Sequence, residues 1–326
     1  MRTLNANDYQ LFEQLVAMTQ REMYQTMFRI LKKKYEQIIA KPEYIVAIGD
    51  IPVALIAHMD TVFSSPVQDL YYDKQKNVMW SPDGLGADDR AGIFAILQIL
   101  KSGLRPSIIL TTDEEKGGVG ASILTDDYAN CPIPNLKYMI QLDRKGNYDA
   151  VFYDCISEDF MEYVESFGFY RANGSFSDIS FLMPQWEICG VNLSIGYKDE
   201  HTYTETLHIN QLQATISKVK KMLQVTDIPT FEYKEKIMPY IWNKVLSSTD
   251  GYEFDFGMMC CCCKKEFTEF ETIPVKTSEN ITKFYCPDCV INNVDWCQFC
   301  GEPYELTNST SINVCHECKE DKHGIQ

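Results

Sequence analysis

Six apolar runs of strand length constrain this chain more than any other feature: "YIVAI" (44 to 48), "PVALIAH" (52 to 58), "SIILTT" (107 to 112), "KYMIQLD" (137 to 143), "AVFYD" (150 to 154) and "EICGVNLSI" (187 to 195). Several are apolar enough to be buried on both faces, as the central strands of a parallel sheet are. Between them, helical spacing of apolar residues predicts helices over about 88–102, 118–126, 158–167 and 209–224. Residues 7–38 carry Leu11, Leu15, Met18, Met23, Met27, Ile30 and Leu31 at the same spacing and read as one long amphipathic helix with room for a single break. Strands alternating with helices imply an α/β three-layer sandwich around a mostly parallel, mixed sheet.

In an open α/β sheet, functional groups gather beyond the C-terminal ends of the strands. His58 and Asp60 follow "ALIA" there. Residues i and i+2 of an extended chain face the same way, so the carboxylate can orient the imidazole, and burying either without a partner is costly. "GLGADDRAGIFAIL" (84 to 97) places Asp88 and Asp89 at a helix start, where a carboxylate caps the helix and can also hold a cation. "LTTDEEKGGVGA" contributes Asp113, Glu114 and Glu115, "IQLDRKG" Asp143, and "IGYKDEHTYTE" His201. Each alone reads as a cap, a solvated turn or a surface histidine. Together they form a hard-oxygen and imidazole donor set suited to a carboxylate-bridged pair of zinc ions. His208 reads as a helix-start residue rather than a ligand. "RANGSFSDISFLM" (171 to 183) is a candidate substrate-facing loop through Ser177 and Asp178, and reads equally as a turn with a helix cap.

The stretches "HMDTV", "GADDRAG", "TTDEEKGG", "QLD" and "EHTYTE" occur in the order seen in the co-catalytic di-zinc peptidase superfamily, which the chain resembles over roughly residues 40 to 225. That group includes peptidase T, aminoacylases, glutamate carboxypeptidases and secreted bacterial leucine aminopeptidases. The resemblance implies His58, Asp88 and Asp143 on one metal and Asp88, Glu115 and His201 on the other, with Asp88 bridging. It also implies Glu114 as general base and Asp60 as the residue orienting His58. The two catalytic ions would be zinc, with cobalt or manganese as alternatives. In the carboxypeptidase and aminoacylase branches a lid domain on the order of 100 residues usually separates the fourth ligand from the last. Here Asp143 and His201 stand only 58 positions apart (143 to 201), so no lid is expected. The implied activity is that of an aminopeptidase on short peptides. Hydrolysis of N-acyl amino acids and carboxypeptidase action use the same site, and a non-catalytic protein binding through its C-terminal region is the reading from another class.

Of 13 cysteines, Cys131, Cys155 and Cys189 are scattered, and the rest crowd into residues 260–326. There Cys260 and Cys263, Cys286 and Cys289, Cys297 and Cys300, and Cys315 and Cys318 each have the C-x2-C spacing that presents two thiolates to one tetrahedral zinc. They supply two structural four-cysteine sites. Sequential zinc ribbons over 260–289 and 297–318 are the preferred pairing, and a cross-braced one uses the same residues. This divides the chain into a catalytic domain, 1–255, and a cysteine-rich domain, 256–326. The formal net charge is −16, and from residue 258 onward the chain has no Arg and more acids than Lys, so affinity for nucleic acid is not expected. A structural cap, self-association or docking to a protein partner suits the ribbons better. The polar start "MRTLNANDYQ" lacks a signal-peptide core, and no apolar run approaches a spanning helix. A cytoplasmic protein without membrane contact is expected.

Overall fold

The computed structural model describes residues 3–127, 133, 135–235, 258–267, 273–276, 282–286, 289–290, 293–296 and 303–306. The chain divides into two compact units, Met1–Pro239 and Tyr240–Gln326. The expected boundary at 255/256 lies outside the described residues.

The first unit opens with α1 (Ala6–Val16) and α2 (Gln20–Lys32), which bury Phe12, Leu15, Met23, Met27 and Leu31. The expected single helix breaks where Thr19 and Glu22 form a capping box: the Thr19 hydroxyl accepts the Glu22 N–H, and the Glu22 carboxylate accepts the Thr19 N–H. The strands and helices that follow are β1 (Gln37–Lys41), β2 (Tyr44–Ile48), β3 (Ile51–His58), β4 (Tyr71–Asp73), β5 (Val78–Trp80), α3 (Ala87–Lys101), β6 (Pro106–Thr111), α4 (Val119–Asp127), β7 (Tyr138–Arg144), β8 (Asp149–Val151), α5 (Glu158–Glu165), β9 (Tyr170–Ala172), α6 (Asp178–Trp186), β10 (Gly190–Ser194), β11 (Tyr197–Lys198), β12 (Thr206–His208) and α7 (Ile209–Leu223).

Eight strands form one sheet in the order β1-β2-β6-β3-β7-β10-β8-β9. Its centre, β6-β3-β7-β10, is parallel throughout; β1 with β2, β2 with β6 and β8 with β10 pair antiparallel, and β9 pairs parallel with β8. The fold is thus an α/β sandwich about a mixed, mostly parallel sheet. Val53 to Ala57, Ile108 to Leu110 and Tyr138 to Ile140 are fully buried, as strands covered on both faces require. One group of helices, α1, α3 and α7, packs together, with α3 against β3 and β7; a second, α4 and α6, packs together against β2, β7 and β10. Because β3, β6, β7 and β10 run the same way, their C-terminal ends share one edge of the sheet. A small antiparallel sheet, β11-β12-β5-β4, forms beside it.

The structure departs from expectation at the end of the supposed first helix: α2 stops at Lys32, and Gln37 and Ile38 instead begin β1, an edge strand of exposed and half-buried positions. Of the two readings of 171–183 the structure shows the turn with a helix cap: α6 starts there and runs on through Pro184 to Trp186. His208 is the N-cap residue of α7, as expected.

The second unit shows antiparallel pairs β13 (Met258–Met259) with β14 (Glu266–Phe267), β15 (Ile273–Lys276) with β16 (Thr282–Tyr285), and β17 (Val294–Trp296) with β18 (Pro303–Glu305). Val275, Tyr285, Val290 and Val294 form a small buried cluster among its described residues. Among the described residues no helix is long and apolar enough to cross a membrane.

Candidate metal centre

The shared strand edge gathers the predicted acids and histidines. His58 is the last residue of β3, Asp88 and Asp89 open α3, Glu114 and Glu115 form a 3-10 turn just after β6, and Asp143 lies near the end of β7. His201 follows β11 in a turn. The Asp88–Asp89 peptide bond is cis.

Asp88 sits between the two imidazoles. Its Oδ1 is 2.9 Å from His58 Nε2, and its Oδ2 is 3.3 Å from His201 Nε2. His58 Nε2 is also 3.5 Å from Asp143 Oδ1, and His201 Nε2 is 3.0 Å from Glu115 Oε2. Two groups of donor atoms result, each within 4.8 Å: His58, Asp88 and Asp143, and Asp88, Glu115 and His201. Glu114 approaches within the same distance of His58 and Glu115. These are the residues singled out from the sequence, brought together from five separate segments.

The surroundings hold this cluster in place. Asp60 Oδ1 lies 3.2 Å from His58 Nδ1, and the Asp60 carboxylate accepts the backbone N–H groups of Glu114 and Glu115, each at 3.1 Å. Asp60 therefore sets both the imidazole and the acidic turn. Asp143 accepts from Tyr197 (3.1 Å), Ser177 (2.8 Å) and Gln141 (3.1 Å), while Asn192 bonds both its N–H and its carbonyl. Asp89 accepts the Gly92 N–H and the His58 N–H. A Cβ on Gly92 would stand 2.4 Å from both Asp89 Oδ1 and the Leu142 carbonyl, so only glycine lets α3 approach β7 this closely.

Ser177 and Asp178 are buried at the start of α6, which matches the helix-cap reading of this stretch and not the substrate-facing one. Ser177 supports Asp143, and Asp178 accepts from Thr111. The capping positions of α6 draw them inward. Glu205 was missed, although it closes the "EHTYTE" stretch: its carboxylate is fully buried and accepts the N–H groups of Gly86 and Asp88. A carboxylate four residues from a candidate ligand was the available signal. Tyr197, Asn192 and Gln141 gave none, since strand tyrosines and amides are ordinary.

Crowding dominates the electrostatics. Burial, reinforced by Asp143, Asp178 and Asp88, pushes the Glu114 carboxyl up to about 9. Burial likewise raises Asp143 to about 6, Asp178 to about 7 and Glu205 to about 8. For His58 burial acts downward, yet Asp143, Asp60 and Asp88 outweigh it and hold the imidazole well above its usual range. Hydrogen bonds to Asp88 and Glu115 raise His201 to about 10. Arg90, the buried cation nearby, is committed to the Met59 and Met18 carbonyls. Glu115 Oε1 is buried with no hydrogen-bond partner. Oxygen and imidazole donors, excess negative charge and an orphaned carboxylate oxygen together fit divalent cations.

In the second unit Cys260, Cys263, Cys286 and Cys289 bring their sulfurs within 4.8 Å of one another. Cys263 and Cys286 Sγ are 3.8 Å apart, far beyond a disulfide bond of about 2.05 Å. Four thiolates each about 2.3 Å from a common centre would be separated by this distance. The Cys286 N–H points at Cys260 Sγ, at 3.4 Å. These four are the cysteines expected to share one site in the sequential pairing. Cys297, Cys300, Cys315 and Cys318 lie outside the described residues.

No protein-family model matches the sequence, and no curated protein matches it. Solved structures do. The chain is similar to a tripeptidase of Staphylococcus aureus (TM-score 0.54, 15% identity, covering 68% of this chain and 99% of that one). It is similar to a TET aminopeptidase from a marine sediment thaumarchaeon (0.53, 11%, 68% and 98%) and to the aminopeptidase PepT of Bacillus cereus (0.50, 14%, 65% and 96%). At these identities the likeness is one of fold.

Proposed function

We propose that this chain is a metal-dependent aminopeptidase acting on short peptides, with two divalent cations bridged by Asp88. The observation that carries the reading is the placement of one buried carboxylate between two imidazoles, each backed by a further acid. His58, Asp88 and Asp143 would hold one ion, and Asp88, Glu115 and His201 the other. The fold shared with a tripeptidase and two aminopeptidases supports a peptide substrate. When bound, a pair of divalent cations supplies Lewis acidity, activating water and polarising a carbonyl; zinc suits these donors, and cobalt or manganese uses the same ones.

The chain's own groups do the rest. Glu114, beside the ligands but outside both triads, would be ionised once divalent cations offset the burial and the neighbouring acids that raise its pKa, and would then take a proton from the attacking water and deliver it to the departing amine. Asp60 fixes the His58 ring and, through two backbone N–H groups, the turn that aims Glu114. The elements between Asp143 and His201, from β8 to β11, belong to the two sheets or to helices α5 and α6, which supports a lid-less enzyme.

For the second unit we assign a structural zinc to Cys260, Cys263, Cys286 and Cys289. The same chemistry is assigned to Cys297, Cys300, Cys315 and Cys318. Its acidic balance disfavours phosphate and leaves protein docking or self-association as the outlet.

A panel of free and N-blocked peptides tests the reading. Zinc-loaded protein should cleave peptides with a free N-terminal amine. Glu114→Gln should keep its metal and lose about 10²- to 10⁴-fold in turnover. Cleavage of N-acyl amino acids alone, or from the C-terminus, would replace aminopeptidase action with those alternatives.

A further inference from the structure

A cavity of about 540 Å³ opens beside Asp60 and Glu115, between the α1–α2 junction and segment 61–67. We infer that this cavity selects substrates by receiving an uncharged, apolar side chain from a peptide residue flanking the scissile bond. The inference rests on the hydrolase reading for its location and goes beyond it in naming the substrate class.

The wall chemistry carries the argument. Val16, Met18, Val62, Phe63 and Leu85 supply apolar surface. Of the two cations on the wall, Arg90 is buried and donates to the carbonyls of Met59 and Met18, whereas Lys116 is exposed at the rim and pairs with Asp113 at 2.7 Å. The acids on the wall are Asp60 and Glu115. An acidic side chain, or a peptide's C-terminal carboxylate, would therefore find no uncommitted buried cation on this wall. An aliphatic or aromatic side chain would instead leave water for matching surface.

The wall is also built in advance. The Val67 N–H bonds the Val16 carbonyl at 3.2 Å, and Arg90 ties Met18 to the end of β3. The Phe63 ring lies against Gly84, where a Cβ would stand 2.2 Å from it, and Gly84 adopts φ +84°. The N-terminal helix pair is thereby fastened to the metal centre as one side of a pocket.

The test uses the full chain loaded with zinc and two dipeptide series, X-Ala and Ala-X, with X as Leu, Met, Phe, Ala, Glu or Lys. Binding is read by calorimetry on the Glu114→Gln variant, where turnover does not interfere, and kcat/KM is read on the unaltered protein. In one series Leu, Met and Phe should exceed Ala by about tenfold or more, with Glu weakest, since each fitted methylene is worth roughly ten- to 200-fold. Ser65→Trp, a substitution at an exposed position on the cavity's rim, should weaken the large members about tenfold while leaving Ala within about twofold. A flat Kd ranking, a preference for Glu or Lys, or an equal effect of Ser65→Trp on every member would overturn the inference. Ranked binding without cleavage in the unaltered protein would instead overturn the hydrolase reading and leave the cavity's selectivity standing.

Discussion

Glu205 holds the main chain of Asp88 while His201, four residues earlier, faces its side chain. The Glu205 carboxylate accepts the N–H of Gly86 at 2.6 Å and that of Asp88 at 3.0 Å, and His201 Nε2 stands 3.3 Å from Asp88 Oδ2. One short segment thus positions both ends of the candidate bridging residue. Glu205→Gln keeps the volume but leaves a single acceptor oxygen, with its amide facing a backbone donor. The expected result is about 1–3 kcal/mol less stability in urea and a 10- to 100-fold weaker metal affinity on titration. Unchanged affinity with lowered stability would make Glu205 a helix cap only.

The cysteine cluster leads to a separate expectation. The described core of the second unit is Val275, Tyr285, Val290 and Val294, and if Cys260, Cys263, Cys286 and Cys289 hold zinc as proposed, the ion would supply part of its folding free energy. Cys286→Ser should lower zinc content by one ion per chain in native mass spectrometry and expose residues 258–306 to proteolysis. Full zinc content in the variant would remove the four-thiolate assignment.

Asp8 ties α1 to α3. It accepts from Gln98 at 2.8 Å and pairs with Lys101 at 3.0 Å. Partial burial acts to raise its pKa, but the bonds from Gln98 and Lys101 prevail and lower it. A depressed folded-state pKa contributes stability above the unfolded value, and that contribution is lost as pH falls through the folded one. Asp8→Asn should therefore cost under about 1 kcal/mol at neutral pH, the difference shrinking below about pH 4. Denaturant titrations at both pH values measure this, and a deficit constant down to acid would contradict it.

Legibility in the sequence followed burial. β2, β3, β6, β7 and β10 were readable because doubly covered strands must be apolar throughout, and their ends then located His58, Asp143 and the acidic turn. β1, β4 and β9 were not, because an exposed edge strand has no periodicity to distinguish it from a turn, and β5, inside the small sheet, is only three residues long. α6 was obscured by Pro184, and with it the inward direction of Ser177 and Asp178. Glu205 illustrates the remaining gap: sequence marks a carboxylate near a ligand, but only the folded chain shows which backbone donors it meets.

The shared-carboxylate centre is tested most directly by anomalous diffraction at the zinc edge from crystals of the zinc-loaded chain. Two peaks are expected about 3.5–4 Å apart, one beside His58 and Asp143, the other beside Glu115 and His201, with Asp88 between them. A single peak, or none at Asp88 while Cys260, Cys263, Cys286 and Cys289 carry their ion, would contradict it.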